Sequence, residues 1–260
     1  MPDLPRFAHR PPALGLQGHV SGYYGFWEKT SAPVRRREGP GVDVVVVVSF
    51  GEEWLIDGER RTSFVGGLHE TQVTTEHAGR SSGMQINLAP PSAFMLFGLP
   101  LDSLAQRTVP LDDVLGGLSL AERLHERGDW PGRFALLDAL LSKRLDTARA
   151  PSRGVAWAWQ RLCASHGNVQ IAALADELGW SRKRLVARFR EQIGLPPKAV
   201  ARLLRFERAR SLAERTERPD WARIALECGY YDQSHLINDF RAVTGMTPVT
   251  FFQDTAATAA

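Results

Sequence analysis

The chain has 260 residues, a net charge of +3 and 23% charged side chains, and this length suffices for two domains of ordinary size. Its apolar runs fall short of the roughly 20 residues that a membrane-spanning helix needs. The first ten residues lack the apolar core of a signal peptide. We therefore expect a cytoplasmic protein with no membrane partner. Cys163 and Cys228 fit that compartment and are predicted to be small core residues rather than a disulfide or a metal pair.

Charge is distributed unevenly along the chain. Residues 1–150 contain 16 Lys and Arg against 18 Asp and Glu, whereas residues 151–260 contain 16 against 11. Ten basic and two acidic residues fall within 182–210. Such clusters are often only solvated helix faces, but they are also the electrostatic signature of surfaces that bind phosphates. The C-terminal part is therefore the more favourable place for a polyanionic partner.

The N-terminal half has the pattern of short β-strands. The β-branched run Val42–Phe50 predicts a strand buried on both faces. Segments 54–56 and 60–65 flank Asp57-Gly58, which predicts a hairpin. Further strands are predicted at residues 19–27, 69–77 and 84–88. Short strands punctuated by Gly and Pro favour a small sandwich or barrel.

Helical patterns follow Pro90-Pro91. Residues 119–127 have a helical pattern, and an apolar stripe at helical spacing predicts a stronger helix that begins at Trp130. Residues 148–154 (ARAPSRG) lack bulky apolar side chains and contain Pro and Gly, as linkers do. We therefore divide the chain into a β-rich sensor or dimerisation domain (1–148) with a helical C-terminal part, a linker (149–154) and an all-α domain (155–254).

The all-α domain contains the same pattern twice. The first copy has Leu174-Ala175, Gly179, Leu185, Phe189, Gly194 and Pro197, and the second has Ile224-Ala225, Gly229, Leu236, Phe240, Gly245 and Pro248. The offset is 50 up to the glycine of the turn and 51 from the leucine onward, so the second copy has gained one residue between them. Each copy predicts a helix that ends at Gly, a short turn and a second helix, which is a helix-turn-helix unit. A long helix at about 198–215, without internal Pro or Gly, joins the two units.

A helical wheel assigns the outward faces of the two second helices. Residues 183, 187 and 190 of the first match 234, 238 and 241 of the second under the offset of 51. Their side chains suit the edges of bases and the phosphates of a major groove. The candidate DNA-binding residues are Arg182, Lys183, Arg184, Val186, Ala187, Arg190, Gln233, Ser234, His235, Ile237, Asn238 and Arg241. Four arginines of the connecting helix are expected to contact the DNA backbone: Arg202, Arg205, Arg208 and Arg210.

Residues 174–248 resemble the DNA-binding domain of AraC/XylS-type bacterial transcription regulators. The resemblance lies in LADELGWSRKRLVARFREQIG, in RFERARSL and above all in IALECGYYDQSHLINDFRAVTGMTP. It implies seven helices and places the family's base contacts on Lys183, Val186, Ala187, Gln233, Ser234, Ile237 and Asn238. Val186, Ala187 and Asn238 depart from the residues that are common there. The first unit is therefore expected to rely more on DNA shape and phosphates.

The N-terminal half resembles, more weakly, the cupin-like sensor regions attached to such regulators. The segment MQINLAPPSAFMLFGLPLDSLAQRTVPLDDVLG is similar to the part that closes such a region. The aromatic residues Trp27, Trp54, Phe64 and Phe94 are candidates to line a small-molecule pocket, although aromatic side chains in a small β-domain also serve as plain core.

Two alternatives account for part of this pattern. A cupin-type metalloenzyme fused to a DNA-binding domain would need clustered ligands, and His69, Glu70, Glu76 and His77 are the candidates. Their spacing is poor for a compact site, so we expect no metal, no cofactor and no catalysis. A DNA-bending architectural protein without an effector is the other alternative, against which the size of the N-terminal half argues.

The favoured interpretation is an α+β protein that regulates transcription. We expect a β-rich, cupin-like N-terminal domain followed by an all-α domain with two helix-turn-helix units joined by a long helix. The expected partners are double-stranded DNA and RNA polymerase, together with a small-molecule effector or a second copy of the chain at the N-terminal domain.

Overall fold

A computed structural model describes residues 7–116 and 119–259 of the chain. Within these residues ten strands form two antiparallel sheets, and a helical region follows them. The predicted α+β class is therefore confirmed. No helix in the described ranges is both long and apolar enough to span a bilayer. The signal-peptide expectation concerns residues 1–10, of which the first six lie outside the described residues.

The strands pack as a six-stranded and a four-stranded sheet. They are β1 (Phe7–Arg10), β2 (Val20–Lys29), β3 (Val34–Glu38), β4 (Val44–Ser49), β5 (Trp54–Ile56), β6 (Glu59–Arg61), β7 (Phe64–Gly66), β8 (Val73–His77), β9 (Arg80–Leu88) and β10 (Thr108–Pro110). The larger sheet has the order β1-β2-β9-β4-β7-β10 and the smaller one β3-β8-β5-β6. The valine run of β4 lies between β9 and β7 and is buried almost throughout, as predicted.

The hairpin at Asp57-Gly58 is confirmed, but its second strand is shorter than predicted. Asp57 and Gly58 both have positive φ, 48° and 86°, the combination that a type I′ turn requires. The expected strand 60–65 is wrong in its length, because β6 ends at Arg61 and β7 begins in the other sheet. Phe64 and Val65 are buried there beside β4. Because these two apolar side chains are buried in the larger sheet, the predicted strand is divided between the two sheets. Of the expected strand 69–77, only β8 forms.

After β9 the described residues are mainly helical, with β10 between the first two helices. They are α1 (Pro90–Phe97), α2 (Leu111–Leu115), α3 (Leu120–His125), α4 (Trp130–Asp146), α5 (Arg153–Ala164), α6 (Ile171–Glu177), α7 (Arg182–Ile193), α8 (Pro197–Ala213), α9 (Trp221–Glu227), α10 (Gln233–Thr244) and α11 (Pro248–Ala259). Short 3-10 helices lie at Leu14–Leu16 and Leu101–Ser103. Helices α5 to α11 are the seven that the resemblance implies for the C-terminal domain.

The two halves of the chain pack directly against each other. Helix α7 packs on α1 and on the 3-10 helix Leu101–Ser103, and Arg202 of α8 forms an ion pair with Glu70 at 2.5 Å. The segment between α4 and α5 is tied down because the Ser152 N–H donates to Gln192 Oε1 at 2.8 Å. Residues predicted as a linker therefore form an ordered connection between two halves that share one buried core. The division at 149–154 into separate domains stays a prediction.

Candidate nucleic-acid interface and internal cavity

The first helix-turn-helix unit consists of α6 and α7. Gly179 has φ 62° in the turn, a backbone conformation that suits a residue without a side chain. Ser181 caps α7, since its Oγ accepts a hydrogen bond from the Arg184 N–H at 3.2 Å. Leu185 and Phe189 are fully buried, so the opposite face of α7 is turned away from the core.

The second unit, α9 and α10, has the same construction. Asp232 caps α10 by accepting from the His235 N–H at 2.7 Å. Leu236 and Phe240 are fully buried, and the Phe240 ring packs against Phe206 of α8 with 4.8 Å between centroids. The long helix α8 therefore supplies part of the core that holds α10 in place.

The structure places all twelve candidate DNA-binding residues on α7 and α10. The exposed ones are Arg182, Lys183, Arg184, Ala187, Arg190, Gln233, Ser234, His235, Asn238 and Arg241, and the two half-buried ones are Val186 and Ile237. The Arg184 guanidinium lies 4.7 Å from the Trp180 ring centroid, which holds this side chain near the start of α7. That these residues contact DNA stays a prediction, but their exposure and their common placement satisfy its requirements.

Three of the four arginines on α8 that were assigned to the DNA backbone have partners within the protein. Arg205 donates to the Gly167 carbonyl at 3.0 Å, and its guanidinium lies 3.6 Å from Asp239. Arg202 pairs with Glu70, and Arg210 pairs with Glu214 at 2.9 Å. That these arginines contact phosphates stays a prediction, and such a contact would compete with these partners within the protein. A helical wheel shows which face is polar but not which neighbours that face meets.

Tyr231 is a further candidate DNA-binding residue, and the helical wheels of α7 and α10 did not predict it. The Trp180 N–H donates to Ala175 O and the Tyr230 N–H donates to Ala225 O, both at 2.9 Å, so these residues are equivalent at the offset of 50. The capping residues Ser181 and Asp232 are equivalent at 51, which makes Tyr231 the added residue. It is 88% exposed at the N-terminal end of α10. The break in the repeat offset was the signal that could have found it.

An acidic residue of the N-terminal half lies beside α7, the second helix of the first helix-turn-helix unit. Asp102, in the 3-10 helix Leu101–Ser103, lines a surface hollow together with Lys183, Ala187 and Arg190. The side chain of Asp102 is exposed. The negative charge of this carboxylate opposes the approach of a polyanion to the outward face of α7.

A cavity of about 570 Å³ lies in the N-terminal half. Its apolar wall comes from both sheets and includes Phe26, Val47, Trp54, Ile56 and Phe64. Residues 39–43, between β3 and β4, form another part of the wall, and Glu207 of α8 lines the cavity as well. The Val42 N–H donates to Glu207 Oε1 at 3.2 Å. The connecting helix of the C-terminal half is therefore part of the boundary of an N-terminal cavity.

The carboxyl groups of the cavity differ in their environments. Arg36, which lies 2.7 Å from Glu28, lowers the pKa of the Glu28 carboxyl. Burial raises the pKa of Asp43, and burial together with the nearby charge of Asp43 raises the pKa of Glu207 to about 7. Burial also lowers the pKa of His69, which favours its neutral form.

Of the four predicted pocket aromatics, the structure places two in the cavity wall. Trp54 and Phe64 line it, whereas Trp27 and Phe94 do not. Strand alternation explains Trp27, because successive side chains of β2 point to opposite faces; Phe26 lines the cavity and Trp27 is 40% exposed. Phe94 lies on α1 and packs against the main core.

The four metal candidates do not converge. Glu70 pairs with Arg202 and Glu76 pairs with Arg35 at 3.2 Å, while His77 Nε2 lies 3.1 Å from Glu28. Among the residues that the structure describes, no three His, Cys, Asp or Glu side chains are grouped as a metal site would need. The expectation of no metal stays a prediction. Cys228 is buried and Cys163 half-buried, and neither forms a disulfide, as expected of core cysteines.

Comparisons with known proteins match the chain over different lengths. A family model described as a helix-turn-helix domain matches residues 174–254. The uncharacterized HTH-type transcriptional regulator YbfI of Bacillus subtilis (strain 168) is 35% identical over 69 residues, which cover 26% of this chain and 24% of that protein. The chain therefore matches about a quarter of the length of this relative.

Two solved structures are similar in part. The C-terminal domain of AraT, a response regulator from Geobacillus stearothermophilus, is 24% identical with a TM-score of 0.37 and covers 40% of this chain and 87% of its own. Unsaturated fatty acid bound ToxT from Vibrio cholerae is 11% identical with a TM-score of 0.47, over 90% of this chain and 95% of its own. The family match coincides with the two capped units described above. Residues 174–254 accordingly match a helix-turn-helix domain.

Proposed function

We propose that the chain is a sequence-specific DNA-binding regulator of bacterial transcription. The observation that carries this proposal is the match of residues 174–254 to a helix-turn-helix domain, together with two capped helices that expose equivalent faces. Helices α7 and α10 would enter successive segments of the major groove, as paired units of this kind do. Such a regulator acts in the cytoplasm and performs no catalysis.

The outward residues divide into two roles. Lys183, Gln233, Ser234 and Asn238 have donors and acceptors that suit base edges, and Asn and Gln pair bidentately with adenine. Arg190 and Arg241, which are equivalent under the offset of 51, suit phosphate oxygens. The Tyr231 hydroxyl, on the turn beside α10, is a further phosphate contact in this proposal. Val186, Ala187 and Ile237 permit close approach of the helices to the bases.

The N-terminal half would control DNA binding. Its cavity is of a size that suits a small-molecule effector, and Glu207 brings the DNA-binding half into the cavity wall. A homodimer formed through the N-terminal half and a contact with RNA polymerase complete the proposed regulator. The alternative of an architectural DNA-bending protein gives no role to a cavity of this size in the N-terminal half.

The test is selection of bound sequences from random duplex DNA with the full chain. We expect a bipartite motif, and binding that weakens by about tenfold or more between roughly 50 and 200 mM salt, because phosphate contacts release counterions. The double variant Asn238→Ala with Gln233→Ala should lose the preference at one half of the motif. Its control is Glu177→Gln on α6, which should leave the motif unchanged. An unbiased selection, or an affinity independent of salt, would contradict the proposal.

A further inference from the structure

The cavity wall contains acidic groups that have no basic side chain at ion-pair distance among the described residues. Glu38, Asp43 and Glu207 line it, and none of them forms an ion pair with a basic side chain in residues 7–116 or 119–253. Glu28 is compensated, because Arg36 and His77 both lie against its carboxylate. Arg36 is thus already paired, and His69 has a lowered pKa. The uncompensated charge of the cavity is therefore negative.

These carboxyl groups accept few hydrogen bonds from the described residues. Asp43 accepts from the Ser21 hydroxyl at 2.9 Å, Glu38 accepts from the Thr75 hydroxyl at 3.3 Å, and Glu207 accepts from the Val42 N–H. A carboxylate can accept about four hydrogen bonds. Each group therefore keeps acceptor capacity for a positively charged donor.

The remaining wall is aromatic. Trp54 meets Phe26 and Phe64 edge to face, with centroid distances of 5.9 and 6.5 Å. Aromatic ring faces attract organic cations, and a site that combines them with carboxylates excludes anions. Two polar atoms at the wall, Trp54 Nε1 and His69 Nε2, are buried and have no partner among the described residues. A bound molecule with its own polar group would satisfy them.

We propose that the cavity binds an organic cation, an ammonium group on an apolar or aromatic body, and that Asp43 and Glu207 pair with the ammonium. The apolar body would lie against Phe26, Trp54 and Phe64. The claim that this ligand regulates DNA binding rests on the proposed function, since Glu207 belongs to the helix that joins both helix-turn-helix units. The ligand would touch the DNA-binding half directly and fix α8 against residues 39–43.

The test measures ligand binding to the full chain by isothermal titration calorimetry at about pH 8, where Glu207 is ionised. The probes are aryl-alkyl and alkyl ammonium ions of about six to twelve carbons that fit such a cavity, such as 3-phenylpropylammonium. Each is paired with the carboxylate of the same length, such as 3-phenylpropionate. We expect ammonium ions to bind and the matched carboxylates not to bind.

The variants separate the two carboxyl groups from general charge effects. Glu207→Gln keeps the acceptor for Val42, and Asp43→Asn keeps the shape of the loop; each should weaken ammonium binding by about tenfold or more. Glu217→Gln, at an exposed position after α8, should leave the affinity unchanged. Circular dichroism melts verify that each variant is folded. If Glu207→Gln does not fold, Asp43→Asn alone tests the role of the carboxyl groups.

Three results would overturn the proposal. They are equal affinity for ammonium ions and their carboxylates, absence of binding by every ammonium ion, and undiminished affinity in the folded Asp43→Asn variant. DNA selection with the same preparation distinguishes this failure from that of the proposed function. A chain that selects a bipartite motif but binds no ammonium ion loses only the ligand class.

Discussion

At the scale of single residues, Glu207 has the most unusual environment of the cavity wall. Its charged and titratable neighbours are Asp43 on the loop before β4, Cys163 on α5 and Arg210 on its own helix. Burial raises the pKa of its carboxyl group from 4.5 to about 7, so the folded chain holds this proton more tightly than the unfolded chain does. The resulting stabilisation is complete below pH 4.5 and is lost as the pH rises through about 7.

Replacement of Glu207 by Gln should remove this pH dependence. We expect the free energy of unfolding of Glu207→Gln to exceed that of the wild type by about 3 kcal/mol at about pH 8, and the difference to vanish near pH 4.5. Urea unfolding at several pH values measures this difference, with Glu217→Gln, at an exposed position after α8, as the control. A difference that stays constant across this range would show that Glu207 is ionised throughout.

Asn238 should determine one position of the DNA motif. If its amide pairs with a base, Asn238→Ala should reduce the discrimination at that position by about 1–3 kcal/mol and leave the other positions unchanged. Selection from random DNA, repeated with the variant, measures this loss. Ser234→Ala is the matched comparison one helical turn away, and identical motifs for wild type and Asn238→Ala would remove Asn238 from the set of base contacts.

The placement of residues on exposed faces could be predicted from the sequence, and contacts with tertiary partners could not. The periodicity of α7 and α10 gives their outward positions correctly because the buried Leu and Phe fix the wheel. Arg205 and Arg202 look equally exposed on a wheel, yet Asp239, Gly167 and Glu70 engage them. Those partners lie 34, 38 and 132 residues away, and periodicity along one helix contains no information about them.

At the scale of elements, α10 depends on one aromatic cluster. Phe240 is fully buried and meets Phe206, Trp221 and Phe251 with centroid distances of 4.8, 6.0 and 6.1 Å. Phe240→Ala should lower the free energy of unfolding by about 3–5 kcal/mol, because it leaves a cavity among these rings. Circular dichroism melts measure it. Phe240→Leu should cost less, and an unchanged melting midpoint for Phe240→Ala would mean that the cluster does not hold α10.

The contact of the N-terminal half with α7 should reduce DNA affinity. Asp102 shares a surface hollow with Lys183 and Arg190, so its charge repels phosphates that approach this helix. We expect Asp102→Asn to strengthen DNA binding by about two- to fivefold at low salt, with no change in the motif. Fluorescence anisotropy measures the affinity, and Asp113→Asn on α2 is the control. Equal affinities for both variants would remove this role from Asp102.

Elements with strong local signals were predicted well, and those cut by long-range pairing were not. The valine strand β4 and the Asp57-Gly58 hairpin follow from composition and turn chemistry. The strand expected at 60–65 divides between two sheets, since Phe64 and Val65 pair with β4 rather than continue the hairpin. The choice between the two sheets depends on strands far away in the sequence.

At the scale of the whole molecule, α8 should set the spacing of the two recognition helices. Leu203 and Phe206 are buried along it, and the helix has no internal Pro or Gly. The two elements of the DNA motif should therefore lie about one helical turn apart, about 10 base pairs, in direct order. Insertion of about 5 base pairs rotates one element to the opposite face and should weaken binding severely; insertion of about 10 is the comparison. Undiminished binding after the shorter insertion would mean that the units move independently.

The two-part architecture was predictable, but the way the parts meet was not. Repeats, strand patterns and charge asymmetry each belong to one half and can be read there. The entry of Glu207 into the cavity wall joins residue 207 to residues 39–43, and the sequence shows only a glutamate on a basic helix. Contacts between separately recognised halves depend on surface shape, which periodicity does not contain.

The repeat also has a consequence for how such a protein changes over generations. Both copies keep the same buried leucine and phenylalanine and a capping side chain, and both keep an arginine at the equivalent positions 190 and 241. Other outward positions differ between the copies: Lys183 is equivalent to Ser234, and Ala187 is equivalent to Asn238. In the proposed function, a mutation on one outward face would alter the preference for one half of a DNA site and leave the framework and the other half intact. Target genes would then be gained or lost by halves, without an intermediate that no longer binds DNA.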